Sequence, residues 1–316
     1  MSRSPLQWAI AGCAAAWAVT RLAQADRHPP LERAAVPVAA FTPQAAAASA
    51  LAALAMRRKG PAVTTGLAAV ALGAVVAPRL IGRRQPPARG PVLRVLTVNL
   101  LGGGAAGIEL VGLVRATGAD VLFVQELSDD AVTRLKRAGL SELLPNEISE
   151  TAGYGHRGSG IYARYPLRDG LRLQATAASQ PTARLDLPSG QRLELVCVHP
   201  HPPAPPWHRD AVARWRTELT VLPPGGDPLV ILAGDFNATL DHAQFRRLLR
   251  LGYVDAASQA GNGLIPTWGP EPSGRPALLT VDHVLVDPRC AVLGTSAHGV
   301  SGSDHRALCA KIRLPA

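Results

Sequence analysis

The sequence predicts an α/β (α+β) protein: two packed mixed sheets flanked by helices, preceded by N-terminal transmembrane helices. Three observations predict it. Apolar runs of strand length recur along residues 92–316 without an obligatory helix between each pair, which argues for mixed sheets. The 225 residues of that part suit two sheets with helical layers outside them. Residues 1–91, in contrast, are Ala-rich, poor in acidic groups and divided by basic punctuation.

In chain order, residues 6–22 form an apolar run interrupted at Gln7 and Thr20. A second run, 34–56, is mostly Ala and carries Pro37 and Pro43; a third, 61–81, carries Leu67, Val70, Leu72, Val75, Val76 and Leu80. A spanning helix needs about 20 mainly apolar residues. Three spans, at about 6–22, 34–56 and 61–81, are therefore expected in a membrane region of residues 1–84. Because Ala inserts weakly, the second run also reads as an interfacial or disordered segment. The first also reads as a signal peptide, since Ala23-Gln24-Ala25 has the form of a cleavage site. Basic residues beside the spans number four on one side (Arg3, Arg57, Arg58, Lys59) and seven on the other. That bias weakly favours a cytoplasmic second part, whereas the tight Arg57-Arg58-Lys59 loop and the signal-like first run favour the opposite. The expectation is a cell-membrane protein with its second part outside the cytoplasm. Gln85-Pro86-Pro87-Ala88-Arg89-Gly90-Pro91 cannot continue a helix and reads as a linker, 85–91.

The net charge of +10 belongs to the first part, where 11 Lys and Arg face 2 acidic residues. In 92–316 the 22 basic and 21 acidic residues nearly cancel, so net charge gives no support to a nucleic-acid surface there. Cys13, Cys197, Cys290 and Cys309 form no C-x-x-C pair, which speaks against a zinc knuckle. Cys197 and Cys309 lie in apolar runs and read as buried free thiols.

In the second part, 92–100 reads as a strand running into Gly102-Gly103-Gly104, and 108–117 as a helix stopped by Gly118. Residues 120–125 form a fully apolar strand and 129–140 a helix with a basic outer face. Strands follow at 160–163, 192–198, 229–233, 281–286 and 307–314, with helices at 207–221 and 242–251.

The chemistry-bearing side chains sit at the ends of apolar runs or directly before one: Asn99, Glu126, His199, Asp235, Asn237, Asp282, Asp304 and His305. Glu126 ends a buried strand, where a carboxylate costs desolvation energy unless it meets a cation or donor. A hard divalent ion is a natural partner, and Mg²⁺ uses one or two carboxylates plus phosphate oxygens; a helix-capping Glu is the plainer alternative. Asn99 at a strand end also serves loop backbone groups. Asp235 and Asn237, delivered by 229–233 and Gly234, point the same way in extended chain. One can position water while the other donates to a phosphoryl oxygen; an Asx turn is the alternative. His199 could donate to phosphate, whereas His201, within Pro200-His201-Pro202-Pro203, reads as a loop residue. His305 needs a partner to fix its tautomer, and Asp282 is the candidate. His283 would point to the other face and reads as structural. No G-x-S-x-G elbow is present, so attack by water is favoured over a serine nucleophile.

Together these motifs resemble the endonuclease/exonuclease/phosphatase superfamily, which includes pancreatic-type deoxyribonucleases, AP endonucleases, neutral sphingomyelinases and inositol-polyphosphate phosphatases. The resemblance covers about residues 92–316 and includes Gly160-Ile161-Tyr162-Ala163-Arg164-Tyr165-Pro166. It implies a four-layer α/β sandwich and hydrolysis of a phosphoester with Mg²⁺ (or Mn²⁺). Carried over, Glu126 holds the metal with Asn99 nearby and Asp304 close to it; Asp235 orients or deprotonates water; Asn237 and His199 bind phosphate; and His305, paired with Asp282, stabilises the transition state or acts as acid/base. Members using the His199 position often pair it with a preceding carboxylate, yet 152–168 contain none. AP endonucleases typically lack that His, which makes their branch a poorer match.

The expected function is that of a membrane-anchored, divalent-metal-dependent phosphoester hydrolase, a phosphodiesterase for which nucleic acid is one candidate substrate. The alternatives are a phospholipid or inositol-phosphate hydrolase of the same chemistry, or an inactive membrane-anchored binding protein. Arg157, Arg164, Arg209 and Arg214 are candidates to line a cleft. No protein partner is implied.

Overall fold

The apolar runs of the second part pair into two six-stranded sheets among the described residues. The structure, a computed structural model, describes residues 4–105, 107–152, 156–204, 208, 210–269 and 276–316. The first sheet contains β1 (Val92–Asn99), β2 (Val121–Gln125), β3 (Asn146–Glu150), β4 (Ser159–Ala163), β11 (Ala291–Gly299) and β12 (Arg306–Arg313), in the order β11-β12-β1-β2-β4-β3. The second contains β5 (Leu167–Arg172), β6 (Pro181–Asp186), β7 (Arg192–Val198), β8 (Leu229–Asp235), β9 (Val254–Asp255) and β10 (Asp282–Val286), in the order β5-β6-β7-β8-β10-β9. Each sheet is mixed: β1 runs parallel to β2, and β7 to β8, while the other pairs are antiparallel.

Strand alternation decides what faces what. Leu93, Val95, Val121, Phe123, Leu195, Ile231 and Ile312 turn inward and fuse the two sheets into one core. The other face of the first sheet, with Leu96, Val98, Leu122 and Val124, is covered by helices at Gly107–Thr117 and Asp129–Arg137. The outer face of the second, with Val196, Val198, Val230 and Leu232, is covered by Trp215, Leu219, Phe245 and Leu248 on helices Ala211–Thr220 and Ala243–Leu249. This is the expected four-layer sandwich. The helix expected over 129–140 breaks at Gly139, whose φ of 92° ends it before a separate turn, Leu140–Leu143. Of the helix expected from 207, Trp207 lies outside the described residues, and the ordered helix begins at Ala211.

The first part folds as four helices: α1 (Ser4–Leu22), α2 (Pro29–Ala40), α3 (Thr42–Ala55) and α4 (Lys59–Val76), the last extended by a 3₁₀ turn to Leu80. Among the described residues one helix, Lys59–Leu80, is long and apolar enough to cross a membrane. The Ala-rich α1 is outside that set. The run expected as a single span over 34–56 is instead α2 and α3, bent by 68° at Phe41. Pro43 in the first turn of α3 explains the break, since it has no N–H to continue the ladder of α2. The helices pack through small side chains, Ala14, Ala18, Ala46 and Ala68, around Leu72.

The helical part is joined to the sandwich by buried polar contacts. Asp241 receives Arg21 Nε at 2.7 Å and Arg79 at 2.6 and 2.7 Å, and is wholly buried. Asp26 Oδ2 accepts the Ala243 amide at 2.5 Å and so caps the helix there. His242 Nδ1 accepts from the Thr239 amide at 2.8 Å, which leaves Nε2 to donate to the Val36 carbonyl at 3.0 Å. Val36 itself belongs to the cluster of Trp215 and Phe245.

Candidate active site

Parallel pairing brings the motifs together. β1 and β2 end side by side, with Asn99 opposite Gln125, so Asn99 and Glu126 share one mouth of the sandwich. β7 and β8 end likewise, with Val198 opposite Gly234, and deliver His199 and Asp235 to the same mouth. β10, antiparallel to β8, sets Asp282 directly across from Asp235. Gly234 has φ 153°, and a Cβ there would overlap the Val198 carbonyl oxygen, so β7 and β8 can approach only over a glycine. Glu126 (φ 55°) and Asn237 (φ 49°) adopt the left-handed region without being glycine. Such conformations cost on the order of 1–3 kcal/mol each and cluster at functional sites.

Hydrogen bonds hold these strained ends. Asn99 Nδ2 donates to Glu126 Oε1 at 3.1 Å and to Asp235 Oδ2 at 3.2 Å, a bridge between the two sheets. Its Oδ1 accepts from the Leu101 amide at 3.0 Å. Glu126 Oε2 accepts from the Gly102 amide at 2.6 Å and meets the exposed ring of His156. Asp235 Oδ1 accepts the Asn237 amide at 2.8 Å, and Asn237 Nδ2 donates to the Pro200 carbonyl at 3.1 Å. His305 stands between two carboxylates, with Nδ1 2.9 Å from Asp282 Oδ2 and Nε2 3.6 Å from Asp235 Oδ2. Trp268 Nε1 donates to Asp304 Oδ2 at 2.9 Å.

Burial sets the electrostatics. Desolvation pushes the Asp235 carboxyl up to about 7; the charge of Asp282 adds to this, and His305 opposes it. Burial works against a charged His305, but Asp282 and Asp235 outweigh it and hold the imidazolium protonated well above the usual histidine range. His199 goes the other way. Desolvation lowers it to about 4 despite Glu126 at 3.8 Å, so it is neutral near pH 7. For Glu126, burial raises the carboxyl, yet His199, His156 and Asn99 together hold it below the ordinary range. The mouth thus offers a charged carboxylate, a neutral imidazole and a shared proton within one cleft.

Two donor sets could take a metal. One ligand atom each of Asp235, Asp282 and His305 lie within 4.8 Å of one another. Both nitrogens of His305 already face carboxylates, however, and an imidazolium has no lone pair to give. That trio is better suited to holding a proton. Glu126 is a charged, strained carboxylate at the mouth, and Asp304 Oδ1 is buried without a hydrogen-bond partner among the described residues. Hard oxygen donors of this kind fit Mg²⁺ or Mn²⁺. Asn99 presents its amide nitrogen, rather than its oxygen, toward the carboxylates.

All eight residues singled out in sequence meet at this mouth. Of the others, His201 is a loop residue, its Nδ1 2.8 Å from the Pro202 carbonyl. His283 is fully buried between Asp255 Oδ2 (2.8 Å) and the Ala238 carbonyl (2.9 Å). Arg157 and Arg214 line the cavity at the mouth, but Arg164 pairs with Asp120 at 3.4 Å, at the far end of the strands. Arg209 lies outside the described residues. Sequence reasoning missed His156, Trp268 and a wall from α2. His156 and Trp268 belong to no apolar run, and the α2 wall comes from a segment read as membrane.

Comparison with known proteins places this architecture. Residues 96–305 match the endonuclease/exonuclease/phosphatase family, and the chain belongs to it. It is by that membership a phosphoester hydrolase. No curated protein matches it in sequence. In structure it is similar to an endonuclease/exonuclease/phosphatase from Beutenbergia cavernae, with TM-score 0.56, 18% identity, and 71% of this chain and 72% of that one covered. It is similar to humanized D. rerio TDP2 at TM-score 0.55 and 20% identity, covering 70% and 98%. A Bacteroides vulgatus endonuclease/exonuclease/phosphatase gives TM-score 0.56 at 16% identity, covering 71% and 99%. Identities this low establish the shared fold.

Proposed function

We propose that the chain is a membrane-attached, divalent-metal-dependent phosphodiesterase. The observation that carries this reading is His305 held between Asp282 and Asp235, facing Glu126 and His199 across one mouth. Glu126 and Asp304 would hold the ion, with Asn99 fixing the Glu126 carboxylate. When bound, the cation supplies Lewis acidity and a template for the phosphoryl oxygens. Asp235, poised near neutrality, takes the proton of the attacking water. Asn237 keeps one amide hydrogen beyond its bond to Pro200, and neutral His199 has a ring nitrogen to donate; both bind phosphoryl oxygens. The protonated His305 stabilises charge on the phosphoryl group, and Asp282 keeps its ring oriented. Membrane attachment through residues 1–84 is supported by the apolar helix Lys59–Leu80 and by the exposed leucines and valines around it.

A nucleic-acid substrate is the second reading. It draws on Arg157 and Arg214 at the cavity and on similarity to D. rerio TDP2 solved with a single-strand DNA product. The test is release of 4-nitrophenolate from bis(4-nitrophenyl) phosphate by the full chain with Mg²⁺ or Mn²⁺. Turnover that stops in EDTA and returns with the cation supports the proposal, and undiminished turnover in EDTA removes the metal from it.

A further inference from the structure

The cavity at the mouth is about 790 Å³, far more than one phosphoryl group fills. Its two halves differ in chemistry. Glu126, His199, Asp235, Asn237, Asp304 and His305 make one half. Val36, Pro37 and Ala40 on α2, with Phe41 at the bend, make the other, apolar half, in which Ala40 and Phe41 pack in one cluster with Trp268, Leu279 and Val281. These α2 residues lie outside the 96–305 stretch that matches the family.

We propose that α2 and the bend at Phe41 form the substrate-selecting wall of the active site, and that it receives the hydrocarbon chain of a bilayer phosphoester. The inference deepens the phosphodiesterase reading and rests on it. Four observations carry it. The wall is fixed rather than loosely draped: His242 Nε2 binds the Val36 carbonyl, and Asp26 caps the helix beginning at Ala243. It is not filled by the protein, since Pro37 remains exposed and Phe41 half-buried although α2 packs on the sandwich. Arg157 and Arg214 are the only Lys or Arg side chains lining the cavity among the described residues, a sparse set for tracking a polyanionic strand. Finally, α2 runs through the Phe41 bend into α3 and then α4, whose outer faces carry Leu51, Leu54, Leu67 and Val70 in the open. The wall thus belongs to the same helical segment that carries these exposed apolar side chains, and a bilayer molecule meeting that segment would meet the wall.

The test uses the full chain in phosphatidylcholine vesicles with Mg²⁺ and a pair of water-soluble diesters, methyl and butyl 4-nitrophenyl phosphate. The three added methylenes raise kcat/KM for the butyl ester by at least about ten-fold if they enter the wall. Pro37→Asp and Phe41→Ala each bring the butyl-to-methyl ratio toward one, while Phe41→Leu keeps it. The ratio is internal to each variant, so partial misfolding does not mimic the result. Equal kcat/KM for the two esters, or a ratio untouched by Pro37→Asp and Phe41→Ala, overturns the inference and leaves the phosphodiesterase reading standing. Cleavage of neither ester overturns both. In a third arm, hexadecyl 4-nitrophenyl phosphate is embedded in the same vesicles. Cleavage is expected, and resistance to cleavage alongside a butyl preference overturns the bilayer source.

Discussion

The two parts of this chain use apolar residues in opposite ways. In the sandwich, Leu93, Leu96, Phe123 and Ile312 are fully buried between sheets and helices. In the helical part, small side chains go inside, Ala14, Ala18, Ala46 and Ala68, while Leu51, Leu54, Leu67 and Val70 stay exposed. Only four exposed large apolar side chains, Ile108, Leu171, Leu278 and Leu293, fall outside residues 6–81 among the described residues. The interior of the helical part is thus mostly alanine around the buried Leu72, and most of the chain's exposed large apolar side chains lie on its outside. Hydropathy alone does not separate the two parts; the direction in which the large side chains point does. At the joint the contrast reverses, and charges are buried: Arg21 and Arg79 on Asp241, with Asp26 close by.

The largest effect is expected where the sandwich does chemistry. His305→Gln or Asp235→Asn lowers kcat about 10²–10⁴-fold, as for loss of a general acid or base, and leaves vesicle association unchanged. Turnover of a soluble diester checks the first half of that statement, and flotation of the same preparations the second. At the joint, Asp241→Ala strands two buried guanidiniums and costs about 3–5 kcal/mol. It should appear as a lowered midpoint of thermal unfolding and faster proteolysis within 85–91. On the outer face, Leu67→Arg opposes insertion of α4 by about 2.5–3.5 kcal/mol. Reduced flotation with retained turnover of a soluble diester is the expected outcome; unchanged flotation counts against α4 as a lipid-facing element.

The smallest effect is a pH dependence of the joint. Burial raises the Asp241 carboxyl, but Arg79 and Arg21 outweigh it and hold it below the usual range. A carboxyl depressed on folding contributes stability that is complete above its unfolded value of about 3.9 and is lost as pH falls through the lower folded value. Protease cleavage in 85–91 should therefore rise only in that acid window, and Asp241→Asn should show no such step.

Much of the sandwich was legible because its central strands are largely apolar and begin or end at polar motifs. β1, β2, β7, β8, β10 and β12 announce themselves in this way. β3, β5 and β11 do not: they are edge strands open along most of their length, β3 and β5 carrying charged residues and β11 mainly small ones, and pairing rather than hydropathy makes them strands. The site was legible as an ordered set, since parallel pairing of β1 with β2 and of β7 with β8 turns sequence position into proximity. The bridging role of Asn99 was not, because it depends on which amide atom faces two carboxylates from different sheets. Nor was the α2 wall, because a run of alanines gives no sign of the surface it will rest against.

The prolines at 86 and 87 look like the natural place to divide the molecule, and Val36 shows why such a cut is not neutral. Its side chain completes an apolar cluster with Trp215 and Phe245. A fragment beginning after the prolines would bare that cluster and leave Asp241 without its cations. Evolution could not, then, exchange this helical part for another as a detachable tail; a replacement would have to reproduce the valine, the two arginines and the capping aspartate together.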